Sequence, residues 1–210
     1  MKILIIGGGG YLGTALSNRL IDHDVTVFDQ PTEQFEALLT ETGAKKAASI
    51  AEGAKGVDLV YLAVPASVVS SVAAELAPVI GSAVLVDGTN PLNSTFSDLE
   101  YKGESAAADL QAQLPNVAVV KAFNTVFAGR YASPSQNGAA LQVFISGNNE
   151  AANNKVAEYA KSIGFDAVIL GGLRFAKSME ELAFLNIALN ASKGLTWQSA
   201  WSLTGPNGLK

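Results

Sequence analysis

The stretch IIGGGGYLGTAL, residues 5–16, decides how this sequence folds. Four consecutive glycines follow a short apolar run. Glycine either lets a backbone turn where other residues cannot, or leaves it bare so that something can approach. Read as G-x-G-x-x-G, the set is Gly8, Gly10 and Gly13, with Gly7 and Gly9 adding freedom. Gly8 then supports the tight turn out of a strand, Gly10 lets a pyrophosphate lie against bare backbone, and Gly13 lets the next helix pack closely on the sheet. Tyr11 and Leu12 open that helix, whose first N–H groups and positive dipole end face the phosphates. The pattern by itself is common. Here it follows an apolar strand at Lys2–Ile6 and leads into an amphipathic stretch at Tyr11–Ile21, the context that a dinucleotide loop requires.

Outward from this loop, apolar β-branched runs alternate with amphipathic ones. Strands are expected at Lys2–Ile6, Val25–Asp29, Leu59–Val64, Ala83–Asp87, Val117–Ala122, Leu141–Ser146 and Ala167–Leu170. Helical patterns lie near Tyr11–Ile21, Glu33–Glu41, Ser67–Val79, Glu104–Leu114 and Asn149–Ile163. Nearly continuous apolar strands suit a sheet covered on both faces, and strand–helix alternation implies right-handed crossovers. The expected fold is α/β: a Rossmann-type doubly wound, mostly parallel sheet in one domain over residues 1–210, with residues 171–210 a small C-terminal helical extension. Two loops interrupt the alternation, Gly88–Gly103 and Thr125–Gly138, both after strands at the carboxyl edge where open α/β sheets bind ligands. The apolar stripe within Ala176–Trp201 reads as core or dimer interface rather than as a cofactor contact.

The totals narrow the chemistry. With 210 residues, 49% apolar and 16% charged, the chain has the make-up of a globular domain. A net charge of -5 argues against nucleic-acid partners and anionic membranes. Without cysteine there are no disulfides and no thiolate-held metal, and a single histidine, His23, excludes a multi-histidine metal site. The apolar run after Lys2 stops at Gly7, too short for a signal core, and no apolar segment approaches the roughly 20 residues of a membrane span. The expected location is the cytoplasm.

The second strand ends in VTVFDQP, residues 25–31, and puts Asp29 about twenty residues past the first glycine, where a carboxylate accepts from the adenosine ribose hydroxyls. Such a carboxylate repels a 2′-phosphate, and neither Gln30 nor the residues just after it neutralise one. Asp29 therefore favours NAD(H) over NADP(H). Three later strand ends, YLAVP (61–65), VDGTNPL (86–92) and VKAFNTVFAG (120–129), bring Ala63, Val64, Pro65, Asn90, Lys121, Asn124 and Thr125 to the same edge.

IIGGGGYLGTAL, LAVP, DGTNPL and VVKAFNT, in this order and spacing, resemble the coenzyme F420-dependent NADP oxidoreductases. Similar nucleotide domains occur in the cytosolic part of membrane metalloreductases. The resemblance implies a homodimer in which hydride passes directly between nicotinamide and a deazaflavin, with no protein acid or base and hence no catalytic side chain. It implies pyrophosphate contacts at Gly8, Gly10, Leu12 and Gly13. It also implies a nicotinamide side along Ala63, Val64 and Pro65, and a second-ring border at Asn90, Pro91, Asn124 and Thr125. Asp29 and Gln30 stand where the family carries a small polar residue and an arginine for the 2′-phosphate. ILGGL (169–173) stands where it often has D-A-G-P-L, so coenzyme F420 is joined by a flavin as expected acceptor. Two other readings are an NAD(H)-binding sensor or interaction module without chemistry, and a carbonyl dehydrogenase with Lys121 as proton donor.

Overall fold

The computed structural model describes residues 1–19 and 23–205. The elements run β1 (Lys2–Ile6), α1 (Tyr11–Arg19), β2 (Asp24–Phe28), α2 (Glu33–Thr42), β3 (Lys45–Lys46), α3 (Ile50–Gly53), β4 (Leu59–Leu62), α4 (Ala66–Leu76) and β5 (Val84–Asp87). Then follow α5 (Ala106–Gln113), β6 (Val119–Ala122), a small hairpin of β7 (Ser135–Gln136) and β8 (Ala139–Ala140), β9 (Gln142–Gly147), α6 (Glu150–Ser162), β10 (Asp166–Gly171) and α7 (Ala176–Lys193). The larger sheet has the order β10-β9-β6-β5-β4-β1-β2-β3. Its β3-β2-β1-β4-β5-β6 portion is the 3-2-1-4-5-6 Rossmann order, whose direction reverses between β1 and β4. Every residue of β4, β5, β6 and β9 is buried, as strands covered on both faces require. One apolar cluster joins Ile3, Ile5, Phe35, Tyr61 and Phe123 on one face, and a second joins Leu4, Ile6, Leu62, Leu76 and Leu85 on the other.

The seven expected strands are present, with no end displaced by more than two residues. β3, α3 and the β7–β8 hairpin are too short to leave a periodic signal. The expected helix Tyr11–Ile21 is seen through Arg19, and residues 20–22 lie outside the described ones. Parallel neighbours need a crossover, usually helical. Between β6 and β9 the chain has only a 3₁₀ turn at Ala128–Arg130 and the small hairpin, so β9 returns antiparallel to β6, Lys121 facing Ser146. β10 runs parallel to β9, so its carboxyl end lies at the opposite edge of the sheet from those of β1 to β6. Rising from there, α7 brings its middle turns to the nucleotide edge.

The helical extension is shorter than expected. Gly194, at φ 60°, ends α7 in the left-handed conformation that glycine adopts without cost. The remaining chain doubles back along α7. The Trp197 N–H donates to Asn190 Oδ1 (3.0 Å), Ser199 Oγ donates to Asn186 Oδ1 (2.7 Å), and the Trp201 indole N–H donates to the Leu182 carbonyl (2.8 Å).

Candidate active site

Gly7 leaves β1 with φ 90°, and a Cβ built there would lie 2.5 Å from the Ala63 carbonyl oxygen. The tight turn therefore belongs to Gly7, one residue before the glycine expected to make it. At Gly8 a Cβ would meet the Val27 Cβ at 3.0 Å, and at Gly9 the Phe35 Cβ at 3.0 Å. Gly13 packs its Cα against the Gly7 carbonyl and the Gly8 backbone, leaving no room for a methyl group, so the close approach it permits is of α1 to the glycine loop rather than to the sheet. Gly10 differs from all of these: a Cβ there would find nothing nearer than the Gly7 oxygen at 3.4 Å. Gly10 is bare toward open space rather than toward protein. It precedes α1 without a capping side chain, and the first N–H groups of that helix have no acceptor within it.

Asp29 closes the loop from the side. Its Oδ2 accepts from the Gly9 N–H (2.8 Å) and its Oδ1 from the Gln30 N–H (2.7 Å), which fixes the carboxylate beside the glycines while Gln30 stays exposed.

A cleft of about 140 Å³ lies beyond the start of α1. Tyr11 and Leu12 form one wall, Gly88 and Asn90 the loop after β5, Phe123 to Ala128 the floor and far side, and Ala183, Asn186 and Ile187 of α7 the remainder. Asn90 and Asn124 pair reciprocally across two loops: Asn90 Nδ2 donates to the Asn124 carbonyl (2.9 Å), and Asn124 Nδ2 donates to Asn90 Oδ1 (3.0 Å) and to the Met179 carbonyl (3.0 Å). A carbonyl can only accept, so the orientation of the Asn124 amide is set, and its Oδ1 is buried with no hydrogen-bond partner. Phe123 makes this turn possible at φ 68°, an uncommon value for a residue with a Cβ. It is held there by Tyr61 and Tyr159, both at 5.6 Å between ring centroids.

Of the residues singled out from the sequence, Tyr11, Leu12, Asn90, Asn124 and Thr125 line this cleft. Ala63, Val64 and Pro65 do not. Ala63 and Val64 pack beneath Gly7, and Pro65 is exposed at the start of α4. Pro91 is buried, and its carbonyl accepts from the Glu100 N–H (2.6 Å), so it shapes the loop rather than the cleft. The α7 stripe, expected as core or interface, buries Met179 and Ala183 and leaves Leu185 and Leu189 exposed; that Ala183, Asn186 and Ile187 also line the cleft is not carried by the hydrophobic pattern.

Lys121 is fully buried. Its Nζ donates to Asp87 Oδ2 (2.9 Å) and to the Thr89 carbonyl (2.6 Å), and lies 3.2 Å from Glu180 Oε1. Burial alone lowers the ammonium's affinity for its proton, but Asp87 and Glu180 outweigh it and hold the group above its ordinary value. A lysine sealed from solvent and paired with two carboxylates faces no substrate, which removes Lys121 as the proton donor of the carbonyl-dehydrogenase reading.

Fold and site can now be set beside known proteins. Residues 2–91 match the family described as NADP oxidoreductase coenzyme F420-dependent. A crystal structure from Arthrobacter sp. FB24, provisionally named an F420-dependent NADP-reductase, is 28% identical with a TM-score of 0.84, over 97% of this chain and 99% of that one. The hypothetical protein SMa0349 from Sinorhizobium meliloti is 27% identical with a TM-score of 0.71, over 82% and 86% of the two chains. Metalloreductase STEAP3 of Rattus norvegicus is 28% identical over 187 residues; these are 86% of this chain but only 36% of that protein.

These findings make the chain similar to NAD(P)-dependent oxidoreductases built on a Rossmann-type sheet. Within that class it resembles the coenzyme F420-dependent NADP oxidoreductases, as the sequence motifs indicated, and the likeness in structure extends over nearly the whole chain. Among the described residues no helix is long and apolar enough to cross a membrane.

Proposed function

We propose that the chain binds a pyridine nucleotide on the Gly8–Gly13 loop and supports direct hydride transfer between its nicotinamide and a deazaflavin or flavin-like acceptor in the neighbouring cleft. Two features fit the nucleotide: the open space at Gly10, where a pyrophosphate meets no Cβ, and the orphaned Asn124 Oδ1, an acceptor suited to a carboxamide N–H. When bound, the nicotinamide supplies the hydride, two electrons with a proton, and the acceptor is reduced.

One observation carries the reading. Among the described side chains lining the cleft only Tyr11 is titratable, and it stands 92% exposed. An acceptor that forms an alkoxide or an amine needs a positioned proton donor, whereas a flavin-like ring takes its proton from water. The protein's part is to hold two rings in register: Leu12 from one side, Asn90 and Asn124 clamped to each other, and Ala183 and Ile187 closing the edge.

Asp29 supports NAD(H) over NADP(H), although the matching family is described by NADP. Its carboxylate is fixed beside the loop where a 2′-phosphate would add a second negative charge. We also propose a homodimer, supported by the exposed Leu185 and Leu189 on α7, and a cytoplasmic location. The test mixes the protein with NADH or NADPH and with coenzyme F420 or a flavin while absorbance of the reduced nicotinamide is followed. Loss of that band with either acceptor is the expected result. Tight nucleotide binding without turnover would move the chain to the sensor reading.

A further inference from the structure

Behind the cleft wall sits a charged cluster that hydride transfer as described does not use. Asp87, Lys121 and Glu180 come from β5, β6 and α7, and none is more than 1% exposed. Two carboxylates face one ammonium, so the cluster carries an excess negative charge. Backbone dipoles sustain it. Glu180 accepts from the Ala106 and Ala107 N–H groups in the first turn of α5 (3.1 and 3.2 Å), and Asp87 Oδ1 accepts from the Thr89 N–H and hydroxyl (2.9 and 2.7 Å).

Asp87 is one residue from the cleft, Glu180 one helical turn, and Lys121 two residues before Phe123 of its lining. Asp87 precedes Gly88, which lines it; Thr89, gripped by Asp87 and Lys121, joins Gly88 to Asn90. Glu180 lies one turn before Ala183, and the carbonyl of its neighbour Met179 accepts from Asn124. A charge so placed acts through protein rather than through water, where it keeps its strength.

We infer that the Asp87–Lys121–Glu180 cluster biases the nicotinamide redox couple, with Glu180 a positioning residue whose buried charge favours the cationic oxidised ring over the neutral reduced one. The inference rests on the proposed nucleotide site. Oxidised and reduced nucleotide share their adenosine, pyrophosphate and ribose contacts and differ in the charge of one ring. The ratio of their dissociation constants therefore isolates what the protein does to that charge, and it is a potential rather than a rate.

Calorimetric titration of NAD⁺ and NADH into the wild type and Glu180→Gln tests it. Glutamine keeps the length and an acceptor oxygen and removes the charge. The expected result is a loss of NAD⁺ affinity of about tenfold relative to NADH. The exposed neighbour Glu181 provides the control: Glu181→Gln changes the net charge equally but in solvent, and the ratio should stay within about twofold. Equal ratios in folded Glu180→Gln and Glu181→Gln would overturn the inference. Failure of the wild type to bind either nucleotide would instead sink the proposed site. Should Glu180→Gln not fold, Asp87→Asn carries the same expectation. Should neither fold, the wild-type ratio decides: a buried charge leaves it unchanged between about 0.05 and about 0.5 M salt, and a ratio that collapses over that range overturns the inference.

Discussion

Two ends of one sheet edge are built by opposite means. At β1 and β2 the chain makes its site by leaving side chains out: protein fills the space a Cβ would take at Gly7, Gly8, Gly9 and Gly13, while at Gly10 that space is open and is the proposed pyrophosphate seat. At β5 and β6 the site is made by locking side chains in, through the Asn90–Asn124 pair and the sealed cluster around Lys121. The first end depends on sterics within a few residues. The second depends on groups from β5, β6, α5 and α7 meeting in a dry interior, where each is stable only while its partners are present. Of the five glycines at the first end only Gly10 leaves room for a side chain, whereas at the second end each charged group depends on the others.

Substitutions at Gly13 and Lys121 are expected to have the largest effects. Gly13→Ala forces a methyl group into the backbone of Gly7 and Gly8, and should cost at least about 4 kcal/mol of stability in urea unfolding. Lys121→Met leaves Asp87 and Glu180 buried without their cation and should cost about 3–5 kcal/mol by the same measurement. A Lys121→Met protein as stable as the wild type would mean that the second end is not held by charge.

Gly10→Val then separates function from fold at the first end. Stability should change by no more than about 1 kcal/mol, since the new side chain meets open space. Nucleotide affinity should fall by about two orders of magnitude, because the same space is the proposed pyrophosphate seat. Valine there with unaltered binding would show that the nucleotide lies elsewhere. The smallest effect is expected from Asp29→Ser combined with Gln30→Arg, which removes a carboxylate and adds a guanidinium at the ribose position. The preference for NADPH over NADH should rise about tenfold or more in paired binding titrations. A wild-type protein that already prefers NADPH strongly would contradict the role given to Asp29.

The two ends were also unequally legible. The need for glycine at position 13 is legible from spacing alone, because a glycine at a fixed place after a strand answers a local steric demand; the turn residue is Gly7 rather than Gly8, and Gly13 packs on the loop rather than on the sheet. Asp29 was found by its distance from the loop, yet its bond to the Gly9 N–H was not, since spacing gives a neighbourhood and not a direction. At the second end the strand-end residues Asn90, Asn124 and Thr125 line the cleft, whereas Lys121, a proton donor in one alternative reading, is sealed. Its partner Glu180 gives no signal: a glutamate followed by a second, exposed glutamate reads as surface until the helix is docked.

Residue by residue, the amino-acid order determined the strands, the glycine turn, the Rossmann class and the acid beside the loop, because each follows from a side chain's size or polarity within a short span of chain. Only the tertiary structure decided that β9 runs antiparallel, and hence that α7 climbs to the nucleotide edge and delivers Ala183 and Asn186 to the cleft and Glu180 to Lys121. Those outcomes depend on which surfaces exclude water together. That is settled by packing among segments as far apart in sequence as Ala107 and Glu180, and no local pattern carries it.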